Sequence, residues 1–109
     1  MTNFVELVLT CASWQEAQNI ADHLLDKKLI ACAKFLPIQS KYWWEGELAE
    51  AKEVMILMES LQSKFAVIET EVGKLHSYKT FVLKSVPLAQ LSESATGWLR
   101  DELQNKVTE

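Results

Sequence analysis

Glycine, proline and cysteine are scarce in this chain: three, two and two residues in 109. Three scattered glycines leave no glycine-rich loop to cradle a phosphate. Two cysteines, Cys11 and Cys32, make neither a disulfide framework nor a CxxC pair. The apolar stretches are short and broken by charge, so no segment reads as a bilayer span. A basic stripe is also missing. Eleven Lys and Arg are spread among fifteen acids, the net charge is −4, and the densest basic spot is only Lys27-Lys28. Nothing there would neutralise a phosphate backbone, so nucleic acid is not an expected partner. The opening MTNFVELVLT has no basic start and no small-residue cleavage site, and Glu6 interrupts it; it reads as a strand, not a signal peptide. A soluble cytoplasmic protein with reduced thiols and no membrane partner is the expectation. No serine sits in a nucleophile elbow or beside a convincing base, so no catalytic residue is assigned and an enzyme is not expected.

What is present is patterned. Apolar residues make up 49% of the chain, enough for one globular domain spanning 1–109. Residues 4–11, FVELVLTC, place Val5, Leu7, Leu9 and Cys11 on one face of a strand. Ser13 with Glu16 three positions on is a capping-box pattern. Ala17, Ile20, Ala21, Leu24 and Leu25 then make one stripe on a helix that Lys27 and Lys28 close. Residues 29–44 are extended, with Pro37 predicting a bend, a bulge or an edge position. Glu45-Gly46 is a hairpin turn, and 48–60 runs back through VMILM, Val54–Met58, where both faces should be covered. A second helix over 63–76 carries Phe65, Ile68, Val72 and Leu75, a strand follows over 81–86, and Ser92 opens a last helix with Trp98 and Leu99 facing inward. The order β-α-β-β-α-β-α predicts an α+β fold: a ferredoxin-like βαββαβ sandwich with an antiparallel sheet and an added C-terminal helix.

Such a fold leaves one sheet face bare, and here that face is not polar. In a strand, Trp43 and Trp44 point to opposite sides. One is expected to fill the chain's own core and the other to seal a contact with a second copy, so both are candidate subunit-interface residues. The alternative is that the C-terminal helix folds over the open face.

The motifs VLTCASWQEAQNIADHLL, KKLIACAKFLPI, YWWEGEL, the Leu75-His76 step before Tyr78, VPL and GWLRDEL occur in this order from about Val5 to Leu103. In them the chain resembles the CutA family of divalent-cation tolerance proteins. The resemblance implies a tight homotrimer whose sheets pack on one another and whose long hairpins embrace adjacent subunits. It implies tolerance through binding of a divalent metal ion, copper first; no cofactor is required, and Cu(II) or another divalent cation is the candidate ligand. The chain departs from the family's pattern at HSYKTFVLK. Ser77 and Phe81 stand where prolines are usual, and Val82 stands where an acidic residue proposed as a metal ligand is usual.

The candidate ligands are Cys11, Cys32, His23 and His76 with carboxylates. Thiolate plus imidazole suits copper or zinc, but no HxxxH or CxxC spacing exists, so the fold must assemble any site. The resemblance implies Cys11 and His76 as the metal ligands. Cys32 between two alanines reads as packing, His23 as a solvated helix face, and Tyr78 as either core or part of a cleft. The return strand AKEVMILMES lacks the aromatics of an RNA-recognition domain. TCASW offers one thiol where a metallochaperone would offer two, and WEGE is too tight for a nitrogen-regulator loop. The competing function is a trimeric signalling or scaffold module that binds a small molecule or protein in clefts between subunits, without metal.

Overall fold

In the computed structural model, which describes residues 3–104, β1 (Phe4–Cys11) alternates half-buried and buried along its whole length, with Val5, Leu7, Leu9 and Cys11 fully buried. Ser13 caps α1 (Trp14–Asp26) by accepting the Glu16 N–H at 3.2 Å. Glu16, however, reaches back to the N–H of Ala12 at 2.9 Å, one residue beyond the reciprocal bond of a capping box. At the other end, Leu29 N–H bonds Leu24 O and Lys28 N–H bonds Leu25 O, with Lys28 at φ 59°. This pair of bonds is a Schellman stop, made here without glycine.

Strands β2 (Cys32–Trp44) and β3 (Glu47–Leu61) pair without a break from Cys32↔Glu59 to Trp44↔Glu47. The two-residue turn has positive φ at both Glu45 (50°) and Gly46 (82°), the geometry whose twist suits a tight hairpin. A short 3₁₀ turn (Gln62–Lys64) leads into α2 (Phe65–Leu75); β4 (Leu83–Pro87) and α3 (Glu93–Gln104) follow. The sheet order is β2-β3-β1-β4 and every pairing is antiparallel, as the ferredoxin-like pattern predicts. Pro37 lies on the edge strand β2, where a missing N–H is tolerated, and no bulge is needed. The last strand begins two residues later than the sequence suggests, because Phe81 turns inward to pack on the helix-side core.

Helices α1 and α2 lie on one face. Ala17, Ile20 and Leu24 of α1 and Ile68 and Val72 of α2 close over Val5, Leu7, Leu9, Val54, Ile56 and Met58. A polar clamp joins the helices at their rim. His23 Nε2 lies 2.6 Å from Glu71 Oε1, and Lys74 Nζ lies 2.9 Å from Glu71 Oε2. His23 is therefore not the solvated residue its helix position suggests. The bond to His23, then those to Lys74, hold the Glu71 carboxyl down at about 2. A carboxyl depressed on folding stabilises above its ordinary range and loses that contribution as pH falls toward 2. We expect Glu71→Gln to flatten the loss of stability between pH 5 and pH 2.5, measured by urea unfolding. An identical pH profile in the variant would show that the clamp does not contribute.

Among the described residues, the opposite face stays open. α3 covers one end of it only, where Leu61, Leu99 and Leu103 bury with Phe4, Ala31 and Leu91, and where Lys28 Nζ meets Glu102 Oε1 at 2.8 Å. Leu99 and Leu103, four apart, are the buried residues of α3. Trp98, expected to face inward, is 42% exposed because it sits a step of about 100° off that line. Val8, Met55 and Leu57 remain half-buried on the open face. The expectation that both faces of VMILM are covered is met in full only for Val54, Ile56 and Met58.

The hairpin also outruns the sheet. β1 pairs β3 only from Val54 to Leu61, so the 38–53 segment projects as a two-stranded ribbon. Trp43 and its cross-strand partner Leu48 are 71% and 68% exposed on one side, and Trp44 is 51% exposed on the other. Neither tryptophan fills the chain's own core. The core ends where β1 ends, and both rings lie beyond it.

Candidate metal centre

Three elements meet at the end of β1. Cys11 is its last residue and points to the helix side. Glu16 stands in the first turn of α1. α2 ends at Leu75, where His76 leaves the helix in extended conformation (φ −77°, ψ 138°) and turns back over β1. The side chain of His76 is fully buried. One ligand atom from each of Cys11, Glu16 and His76 lies within 4.8 Å of the others. The structure thus joins the two residues that the resemblance singles out and adds a carboxylate. Cys32 lies elsewhere, on the open face, with its thiol 2.8 Å from Glu59 Oε1, and His23 lies in the α1–α2 clamp.

The bonding fixes the state of each group. His76 Nε2 lies 2.8 Å from the Thr10 carbonyl, which can only accept, so Nε2 carries the proton. Nδ1 lies 3.0 Å from the Tyr78 N–H, which can only donate, so Nδ1 offers its lone pair. The ring is the neutral Nε2–H tautomer, stacked on Phe81 at 5.2 Å. Glu16 accepts the Ala12 N–H through Oε2 and the Ser77 N–H through Oε1, both at 2.9 Å, and its Oε2 faces His76 Nδ1 at 3.5 Å. Burial works to raise the Glu16 carboxyl, but the bonds from the Ala12 and Ser77 amides outweigh it and hold the carboxyl below its usual range. Burial, with Glu16 and Glu53 nearby, pushes the Cys11 thiol up to about 12, so it is protonated at neutral pH.

Sulfur, carboxylate and imidazole nitrogen together suit a borderline divalent cation, copper(II) or zinc. The donor set fits, with two costs. Cys11 must release its proton, and His76 must free a nitrogen. Val82, in the segment after His76, is 55% exposed, and the carboxylate at the cluster is Glu16. Sequence reasoning assigned Glu16 to capping alone. Its partner Ser77 is 61 positions away, so no local pattern announces the second role.

Tyr78 leads from this cluster to the open face. Its hydroxyl donates to Glu53 Oε2 at 2.6 Å, and Glu53 is only 6% exposed. Burial, then the bond and charge of Glu53, push the phenol well above its ordinary value. The pair lies in a groove of about 650 Å³ between the hairpin and the 78–84 segment, walled by Tyr42, Trp43, Trp44, Met55 and Val82. Tyr78 lines this groove.

Comparison with known proteins bears on what this geometry serves. The family model for the CutA1 divalent ion tolerance protein matches residues 5–102. A divalent-cation tolerance protein CutA of Archaeoglobus fulgidus is 35% identical over 104 residues, covering 95% of this chain and 100% of that one. One from Yersinia pestis is 31% identical, covering 94% and 87%. Among solved structures, the periplasmic divalent cation tolerance protein CutA from Archaeoglobus fulgidus superposes with a TM-score of 0.88 at 35% identity, over 94% of this chain and 99% of that one. The divalent cation tolerance protein Cut A1 from Thermus thermophilus gives 0.88 at 28% identity, over 91% and 97%.

Proposed function

The chain belongs to the CutA1 divalent ion tolerance family, and from that premise we propose that it is a cytoplasmic, homotrimeric protein that binds a divalent cation, copper(II) first, through Cys11, His76 and Glu16. The role is one of binding, with no catalytic step. The observation that carries it is the convergence of a thiol, a carboxylate and an imidazole from three separate elements to within 4.8 Å. The Cys11 thiolate would supply the soft donor that favours copper, and His76 and Glu16 the borderline and hard ones. Because Cys11 holds its proton until about pH 12, binding releases a proton and strengthens as pH rises.

The test is native mass spectrometry across a copper titration, with the wild type beside a Cys11→Ala/His76→Ala double variant. The expected result is one ion per chain in the wild type and a loss of affinity of at least about a hundredfold in the variant. Equal uptake by both would place the ion elsewhere, and no uptake by the wild type would remove the metal role. The trimer is supported by the half-buried Val8, Met55 and Leu57 on the open face and by the projecting ribbon. The groove beside Glu53 and Tyr78 favours a second reading, in which the trimer takes a small molecule there.

A further inference from the structure

His76 Nδ1 has one lone pair, and the Tyr78 N–H occupies it at 3.0 Å. It is also the ring nitrogen that faces Glu16, at 3.5 Å. Nε2 points the other way, into the Thr10 carbonyl at 2.8 Å. A nitrogen with one lone pair cannot serve an amide and a cation together. The next amide, Ser77 N–H, rests on Glu16 Oε1 at 2.9 Å, so the two groups that hold the 77–78 backbone are both members of the candidate site. The same short segment carries the Tyr78 side chain to the other face of the sheet, where its hydroxyl bonds Glu53 at 2.6 Å in the groove.

Resting on the metal reading above, we infer that cation binding at Cys11, Glu16 and His76 and docking of the Tyr78 amide are mutually exclusive, so that a filled site frees the 77–78 backbone and loosens Tyr78 from Glu53 in the groove. The His76 imidazole is then a coupler. Its Nδ1 closes either the loop or the site, and the aromatic groove on the open face reports which. The coupling is reciprocal: whatever loosens Tyr78 from Glu53 must favour the cation by the same factor.

The test uses Zn(II) as probe on the full-length protein in its native assembly. Binding is measured by native mass spectrometry, and amide hydrogen exchange is followed in parallel over 76–82. The expected result is stoichiometric uptake with at least about tenfold faster exchange at Ser77 and Tyr78, while β1 and β3 stay unchanged. Uptake with unchanged or slower exchange there would overturn the coupling and leave the site standing, as it would if the ion took Nε2 and kept the Tyr78 bond. No uptake overturns both the site and the coupling. Tyr78→Phe keeps the amide but removes the bond to Glu53, and we expect it to bind Zn(II) about tenfold tighter, the scale of one hydrogen bond to a charged group. Equal or weaker binding by a folded Tyr78→Phe would also overturn the coupling.

Discussion

Trp43→Ala/Trp44→Ala is expected to break the proposed trimer apart while leaving each chain folded. The two rings are 71% and 51% exposed on a ribbon that no part of its own sheet supports. A two-stranded ribbon with that much apolar surface is marginal alone in water. Covering the exposed part of each ring removes roughly 100–150 Å² from water, worth about 3 kcal/mol per ring at ~25 cal/mol per Å². Ordering the side chains takes back part of this, so a net loss of about 3–4 kcal/mol per protomer is the expected effect. Summed over three protomers and spread over the two factors of concentration in trimer dissociation, that is a rise of about three to four orders of magnitude in the dissociation midpoint, visible by sedimentation velocity from nanomolar to micromolar protein. Since neither ring belongs to the chain's core, the helical circular dichroism should hold at all concentrations. An assembly that survives dilution as the wild type does would put the contact on another surface.

The second large effect concerns His76. Its ring is fully buried, stacks on Phe81 at 5.2 Å and meets Tyr78 at 5.0 Å. His76→Ala opens a cavity among these rings and leaves the Thr10 carbonyl and the Tyr78 N–H without their partners. An orphaned buried polar group costs about 1–3 kcal/mol, and the lost packing adds to it, so about 3–5 kcal/mol is expected. For a domain of this size that is a fall in Tm of roughly 15–25 °C, compared at equal protein concentration because assembly contributes. Cys11→Ala removes only a small buried thiol and should cost about 1–2 kcal/mol. The contrast matters because the metal reading needs both residues alike. A large stability loss from His76 and a small one from Cys11 would show that the imidazole holds the α2–β4 connection whether or not an ion is bound. If His76→Ala melts within about 3 °C of wild type, the hydrogen bonds at its two nitrogens are dispensable, and the coupling to Tyr78 loses its physical basis.

The sequence by itself determined what depends on neighbours a few residues apart. The alternation of Val5, Leu7, Leu9 and Cys11 marked β1, and the three-and-four spacing of Ala17, Ile20, Ala21 and Leu24 marked the buried side of α1. Ser13 fixed the start of that helix, and Glu45-Gly46 fixed the turn. From the order of those elements the ferredoxin-like sheet followed, because few ways exist to cover one face of four antiparallel strands with two helices. Boundaries were less legible where a side chain's destination was long-range. β4 starts late because Phe81 goes to the core, and Trp98 looks inward on a helical wheel but lies off the line that α3 presents.

Only the tertiary structure decided the site and the fate of the two tryptophans. Glu16 meets Ser77 across 61 positions, His76 meets Thr10 across 66, and Tyr78 meets Glu53 across 25. No local period encodes such pairs. They exist because β1 runs between β3 and β4, which carries the ends of three elements to one point. In the same way, the pattern of β2 could say that Trp43 and Trp44 face opposite sides. That neither side holds a core follows from where β1 stops pairing, and strand length relative to neighbouring strands is a property of the assembled sheet.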